Sequence, residues 1–431
     1  MRPIRYLVAA VILSVALSAA LTAAPDTATT ASAAPASAAP ADAAPAPAAK
    51  KDKKKQKKKG YRPRPGPLFN SPGDFSINNK VLKAIRHTKR GSKIRIMTWN
   101  FNSWAFVRAL RKAHERGVSV RIIMARSLAH EQRRNGPYRT LKRALKKQHR
   151  KQEMRSWFRV CKGSCRGRGG AMHAKMFLFS KTGKQPRVVM SSTGNLTGSA
   201  GKNQYNDMYT IRGSRKAYKR SIQVFNQAAR DRPAPPVTYR TGPVMGWFQP
   251  RHGRKDLVMQ MLKKVRCKGA RGAGINGRTS IRIAQDVMLG KRGIRIAKKL
   301  RGLHKHGCNI RLVYSQLGGR IWQITKNIPR NHLVADRDGD GAYDIYLHMK
   351  AMAISGNYDG KRNTRIVYQG SENWSPLAAM SDEQGLIIQR DGVEKAYGKR
   401  INRLFGIHLK SVPLVTPRAL RPKNPYVNME G

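Results

Sequence analysis

His173 and Lys175 are two positions apart, and so are His348 and Lys350; each pair is followed by a small-residue turn that ends in asparagine. The turns read Ser192-Thr193-Gly194-Asn195 and Gly370-Ser371-Glu372-Asn373. The two histidines stand 175 positions apart, as do the two lysines. A single His-x-Lys in a chain this rich in lysine reads most simply as a core histidine beside a surface lysine. Two copies, each with its trailing asparagine, call for a chemical reading. In an extended segment residues i and i+2 share a face, so imidazole and ammonium project together and the carboxamide arrives from a neighbouring strand end. Lys and Asn can hold the oxygens of a phosphate-like anion while His attacks phosphorus or moves a proton. Brought together, two such sets place an imidazole on each side of one phosphate. That is the arrangement in-line displacement needs, with two ammonium groups to neutralise the equatorial oxygens and no metal required for catalysis.

The elements that must carry these groups alternate in type. Helical spacing over Ile77–Ile85 is followed by a strand over Lys93–Trp99. Next come an amphipathic helix over Ser103–Arg116, ended by Gly117, and a strand over Val118–Met124. A basic helix is expected around Thr140–Arg150, then strands over His173–Ser180, Arg187–Ser192 and Tyr205–Arg212, and a closing helix over 214–230. Pro233, Pro235 and Pro236 mark a boundary. The order then repeats: helix 255–266, strand 279–284, helix 292–306, strand 309–314 and the strand bearing His348. Strands over Arg365–Gln369 and Gln384–Arg390 and a helix over 393–405 complete it. A tandem duplication of an α/β layer structure with a largely buried sheet accounts for this pattern.

The chain has 431 residues, with 87 Lys and Arg against 22 Asp and Glu, a formal charge of +65. Residues 50–64 carry +9 of it and residues 1–49 balance, which leaves +56 on residues 65–431. The folded part itself therefore points to a polyanionic partner: nucleic acid, an anionic membrane or a phosphate-rich polymer met through a basic face. Arg2 and Arg5 precede an apolar run from Tyr6 to Ala24 with no stop-transfer pattern behind it. Residues 1–33 are read as an export signal and the mature protein as secreted and extracellular, which argues against a nuclear-localisation role for the lysine run. Residues 34–66, Ala/Pro-rich and then Lys-rich, form a linker. Residues 67–236 and 237–410 form the two domains, and 411–431 a tail. Four cysteines in an exported chain favour two disulfides. Of the three pairings, Cys161–Cys165 and Cys267–Cys308 are expected, because each lies within one half; no Cys-x-x-Cys supports metal ligation.

One acidic stretch stands out in this basic chain: Asp336-Arg337-Asp338-Gly339-Asp340-Gly341-Ala342-Tyr343-Asp344. Carboxylates at Asp336, Asp338, Asp340 and Asp344, with Gly341 for the turn, resemble extracellular calcium loops, so a structural Ca²⁺ is expected there. Position 12 of such a loop is Leu347 rather than a bidentate glutamate.

On the repeated motif, the chain resembles the phospholipase D superfamily, whose signature is His-x-Lys-x4-Asp followed by Gly-Ser-x-Asn, twice per active site. The resemblance spans about residues 70–410 and implies two tandem pseudo-symmetric α-β-α sandwich domains. The second Gly-Ser-x-Asn is intact, the first is degenerate, and Ser180 and Ser355 stand where the family has Asp. The resemblance implies a catalytic set of His173, Lys175, Asn195 and Asp207 with His348, Lys350, Asn373 and Glu383. Asp207 is expected to orient His173, and Glu383 to orient His348. It implies a two-step reaction through a phosphohistidine, with His173 assigned as nucleophile and His348 as acid and base. One imidazole must be neutral and the other protonated, so a bell-shaped pH–rate profile is expected. Because both copies lie in one chain, a monomer is expected. Three functions compete. The first is a secreted phospholipase D acting on phospholipid head groups, which the two-copy chain favours. The second is a non-specific secreted nuclease, and the third a non-catalytic polyanion binder.

Overall fold

Runs of β-branched and long aliphatic residues, buried on both faces, make the central strands. In the strand Ser280–Met288 all nine residues are buried, as expected when helices or a second layer cover each face of a sheet. The computed structural model describes residues 60–126, 129, 135–146, 151–250, 256–339 and 342–410. The export signal, most of the linker and the tail lie outside these. Residues before 67 already pack on the first half: the Tyr61 carbonyl accepts from the Lys184 amide at 3.0 Å, and the Tyr61 ring lies tilted against His87.

The first half forms a seven-stranded sheet from β1 (Gly66–Phe69), β2 (Lys93–Thr98), β3 (Ser119–Ala125), β4 (Trp157–Cys161), β5 (Met176–Thr182), β6 (Gln185–Ser192) and β7 (Asp207–Arg212). Their order is β1-β7-β6-β5-β2-β3-β4. The second half contains β8 (Val237–Thr241), β9 (Val244–Phe248), β10 (Ser280–Met288), β11 (Asn309–Leu317), β12 (Arg330–His332), β13 (Lys350–Tyr358), β14 (Lys361–Gly370) and β15 (Gln384–Ile388). Their order is β8-β9-β15-β14-β13-β10-β11-β12. From β7 and β15 onward the two orders coincide. In each, β5 or β13 runs antiparallel to both neighbours, and the three strands beyond it are parallel to one another. Helices α1 (Ser76–Arg86) and α2 (Trp104–Glu115) pack outside the first sheet, and α4 (Gly290–Lys305) outside the second. Between the sheets, α3 (Arg215–Ala228), α6 (Asp391–Phe405) and the inner sheet faces share one apolar cluster that includes Leu178, Tyr209, Ala351, Leu386 and Tyr397. The fold is thus two tandem pseudo-symmetric α-β-α units with a common central layer.

The duplication reaches single atoms. Arg95 on β2 and Arg282 on β10 are both buried, and each Nη1 donates to the carbonyl of a matching residue on the next strand, Ser119 at 3.0 Å and Asn309 at 2.8 Å. Two expectations shift. The basic helix runs over Gly136–Ala144 rather than from Thr140, because Asn135 Oδ1 caps it by accepting from the Tyr138 amide. Strand β5 begins at Met176, so His173 and Lys175 precede it. Their amides are taken across the halves, His173 N–H by the Asp382 carbonyl at 3.0 Å and Lys175 N–H by Gln384 Oε1 at 2.9 Å. Both expected disulfides form, Cys161–Cys165 and Cys267–Cys308.

Candidate active site

The two motif segments meet where the halves exchange backbone contacts. Met172 bridges Asp382 and Leu347 pairs with Tyr205; His173 N–H donates to the Asp382 carbonyl and His348 N–H to the Tyr205 carbonyl, each at 3.0 Å. Each imidazole is therefore oriented by the other half. His173 Nδ1 donates to Glu383 Oε1 at 2.8 Å, while Glu383 Oε2 accepts from the Ser371 hydroxyl. His348 Nδ1 lies 2.7 Å from Asn206 Oδ1, which also accepts from the Thr193 hydroxyl at 3.0 Å. Asn206 Nδ2 is fixed as the donor by the Ala200 carbonyl and Gln204 Oε1. An amide oxygen only accepts, so His348 Nδ1 carries a proton and its Nε2 keeps the lone pair in the neutral ring.

This corrects both expected pairings. Glu383 serves His173 rather than His348, and Asp207 serves neither histidine; its Oδ2 accepts from the Tyr397 hydroxyl at 2.7 Å. The reason is register. The atom equivalent to Glu383 is in Asn206, as the shared brace shows: Thr193 and Ser371 each bond the orienting residue and accept the following amide, Asp207 N–H or Gln384 N–H, at 3.0 Å. Burial pushes the Asp207 carboxyl up to about 6, as befits a structural group in the central layer.

His348 and Lys350 are fully buried at 0% exposure, and so is Lys175. Burial, and then the charges of Lys350, Lys175 and His173, hold the His348 imidazolium well below its ordinary value, so the ring is neutral at neutral pH. Lys350 Nζ donates to the His348 carbonyl and to Asp286 Oδ2, each at 2.9 Å. Asn195 Oδ1 accepts from the Asn100 amide at 3.2 Å. Among the buried polar atoms with no hydrogen-bond partner among the described residues are three of the repeated motifs: His348 Nε2, Asn195 Nδ2 and Asn373 Oδ1. An unmet buried polar atom costs about 1–3 kcal/mol, and three of them in the motif make a site built for a polar ligand.

Behind Asn373 lies a brace that carries no sequence motif. Arg292 on α4 donates to Asp256 Oδ2 at 2.6 Å, pairs with Glu372 Oε1 at 2.8 Å and donates to the Asn373 carbonyl at 3.1 Å. Asp256 in turn caps the helix Leu257–Lys263 through the Val258 and Met259 amides. On the His173 side, Ser164 Oγ donates to Asp382 Oδ2 at 2.9 Å and the Cys165 amide donates to the same oxygen. The Cys161–Cys165 disulfide thus closes a loop that grips the residue before Glu383. Ser180 and Ser355 lie within β5 and β13, each five residues beyond the motif lysine, accepting from the Lys93 amide at 2.8 Å and the Gly274 amide at 3.0 Å. Each hydroxyl fastens a neighbouring segment and meets no imidazole.

In the acidic loop, carboxylate oxygens of Asp336, Asp338 and Asp344 lie within 4.8 Å of one another; Asp340 lies outside the described residues. Asp336 Oδ1 accepts from the Gly339 amide and Asp344 Oδ2 from the Arg337 amide, each at 2.7 Å. The loop also joins the halves, since Asn203 Nδ2 donates to the Asp344 carbonyl at 2.7 Å.

A family model described as "Cardiolipin synthase, PLD-like domain" matches residues 81–229. No curated protein matches by sequence. Among solved structures, phosphatidylserine synthase from Haemophilus influenzae superposes with a TM-score of 0.53 at 12% identity, covering 79% of this chain and 88% of that one. Polyphosphate kinase from Porphyromonas gingivalis superposes with a TM-score of 0.52 at 14% identity, covering 84% of this chain. The match covers 54% of the kinase chain, so this chain spans about half the kinase's length. The family model thus covers part of the first half of the chain, and over most of its length the chain shares the fold of these solved structures.

Proposed function

We propose that this protein is a secreted phospholipase D-like phosphodiesterase that hydrolyses phospholipid head-group phosphodiester bonds through a phosphohistidine. The reading rests on two imidazoles oriented from opposite halves and set into one buried cluster of lysines and asparagines. The local chemistry favours His348 as nucleophile, the reverse of the assignment the resemblance implied. Its neutral Nε2 lone pair attacks phosphorus, forming N–P as the P–O bond to the leaving alcohol breaks. His173, whose imidazolium is stabilised by the Glu383 carboxylate, gives its proton to the leaving oxygen. Neutral His173 then takes a proton from water, whose oxygen attacks phosphorus as N–P breaks. Lys175, Lys350, Asn195 and Asn373 hold the non-bridging oxygens. Both half-sites come from one chain, so a monomer suffices.

The observation that favours lipid is the placement of exposed apolar side chains. Leu377 (57% exposed) and Met380 (37%) lie on α5 (Pro376–Met380), between Asn373 and Glu383. Trp104 (52%) opens α2 just after Asn100, and Trp322 (44%) follows Ile321, which packs near Trp374. Apolar groups beside a buried phosphate site, on a chain of +65, suit the surface of an anionic bilayer. A nuclease is the second reading. It is favoured by the cation–π pairs of Trp157 with Arg121 and Arg159, a common arrangement on nucleic-acid surfaces. Aliphatic Leu377 and Met380 offer nothing to a base.

Export is part of the proposal. It draws on the N-terminal sequence and the two disulfides; among the described residues, no helix is long and apolar enough to cross a membrane. A structural Ca²⁺ at Asp336, Asp338, Asp340 and Asp344 is likewise proposed. The test assays the purified protein on phospholipid vesicles and on plasmid DNA, with and without EDTA, beside His173→Ala and His348→Ala. Lipid cleavage lost in both variants, with DNA untouched, supports the reading. DNA cleavage alone establishes the nuclease, and binding of DNA with neither substrate cut leaves a polyanion binder.

A further inference from the structure

Superposing the two halves by register exposes one difference inside the site. Met97 pairs with Met176 across β2 and β5, and Ala284 pairs with Ala351 across β10 and β13. Lys93 and Ser280 likewise open the matching parallel pairings, with Ser119 and Asn309. Trp99 and Asp286 therefore occupy the same place. Trp99 turns its ring edge-on to His173, with centroids 5.4 Å apart. Asp286 instead places a buried carboxylate 4.0 Å from His348 Nε2, with the same oxygen 2.9 Å from Lys350 Nζ. Its backbone is fixed there by a bond from its amide to the Met349 carbonyl at 3.0 Å.

A carboxylate is an unexpected resident of a pocket lined with lysines for anion binding. Its field opposes every negative charge a ligand brings to His348, so it penalises a dianion by one charge more than a monoanion. We propose that Asp286 sets the charge selectivity of the site. It admits the singly charged phosphodiester and disfavours the doubly charged phosphomonoester, the species hydrolysis produces. This inference rests on the reading of the pocket as a phosphate-ester site. In chemical terms, Asp286 makes the product a poorer ligand than the substrate would otherwise leave it, and so assists its release. The neighbouring half needs no second device, and there tryptophan fills the position.

The experiment is calorimetric titration of the intact protein at pH 8 with inorganic phosphate, mostly a dianion, and with dimethyl phosphate, a monoanion. Wild type and Asp286→Asn are compared after matching thermal melts. A unit charge at 4 Å and an effective dielectric of 20 corresponds to about a thousandfold. With screening, the Asn variant is expected to tighten phosphate roughly 10- to 100-fold more than dimethyl phosphate. Equal changes for the two ligands, as loss of a merely structural contact would give, overturn the proposal. Should the variant not fold, wild type alone decides. A phosphate affinity within about tenfold of that for dimethyl phosphate supports the charge barrier, and any larger preference for phosphate refutes it. Binding of neither anion would remove the phosphate-site reading along with this one, whereas binding of both without a charge preference set by Asp286 removes this one alone.

Discussion

Replacing Glu383 by glutamine keeps the shape of the His173 partner and removes its charge. In the structure the carboxylate accepts from His173 Nδ1 at 2.8 Å through Oε1 and from the Ser371 hydroxyl through Oε2. Hydrogen bonds to charged groups contribute about 1.5–3 kcal/mol against about 1 for neutral ones, so the His173 imidazolium should lose about 1 kcal/mol or slightly more. At about 1.36 kcal/mol per pK unit, the basic limb of the pH–rate profile is expected to move down by roughly one unit. Asn206→Asp is the mirror experiment. It puts a carboxylate 2.7 Å from His348 Nδ1, favours the imidazolium of the nucleophile, and should raise the acidic limb while leaving the basic limb in place. The assay is kcat/KM for bis(p-nitrophenyl) phosphate across pH 4 to 9. If Glu383→Gln moves the acidic limb and Asn206→Asp the basic one, the roles of the two histidines are reversed. If neither limb moves, the orienting bonds do not govern the reacting protonation states, and the reasoning fails.

Burial pushes the Asp382 carboxyl up to about 6, so between pH 4 and 6 the folded state holds a proton that the unfolded chain has released. The stability this group contributes is present below about pH 4 and lost as pH rises through 6. His348, with its depressed value, acts with the opposite sign, so the readout is the difference between wild type and Asp382→Asn in urea melts. Relative to the variant, wild type should lose about 2–3 kcal/mol from pH 4 to pH 7; a flat difference would count against the assignment. Leu377→Asp is expected to weaken binding to anionic vesicles by about tenfold, as loss of a partly buried leucine predicts, with turnover of a soluble diester unchanged; equal losses on both would argue against a lipid-facing rim. Chelating Ca²⁺ with EGTA should lower stability by about 1–3 kcal/mol at millimolar calcium, an effect that Asp338→Asn should abolish.

The doubled motif was readable because recurrence survives in one dimension: His173, Lys175 and Asn195 announce themselves only once His348, Lys350 and Asn373 repeat them. Layer order was readable for a similar reason, since periodic apolar residues mark strands and helices wherever they pack. What spacing could not carry is anything that crosses between the halves. Glu383 follows Asn373 in sequence, and its carboxylate nonetheless reaches His173, because strands β7 and β15 each deliver the residue before them to the opposite motif. Asp207 stands out as a carboxylate in a basic sequence, whereas Asn206, the neutral neighbour that holds His348, carries no such mark. Arg292 and Asp286 sit in no motif, and only the matching of Ile94-Arg95-Ile96 with Ile281-Arg282-Ile283 would have brought Asp286 opposite Trp99. These are also the positions where the copies diverge chemically. A strictly symmetric site would hold two identical imidazoles with identical partners, and neither would be committed to attack or to proton donation. Glu383 against Asn206, and Asp286 against Trp99, break that degeneracy while the scaffold stays the same. Glu383 and Asn206 each orient the histidine of the other half, so on the proposed function neither half alone holds a complete site.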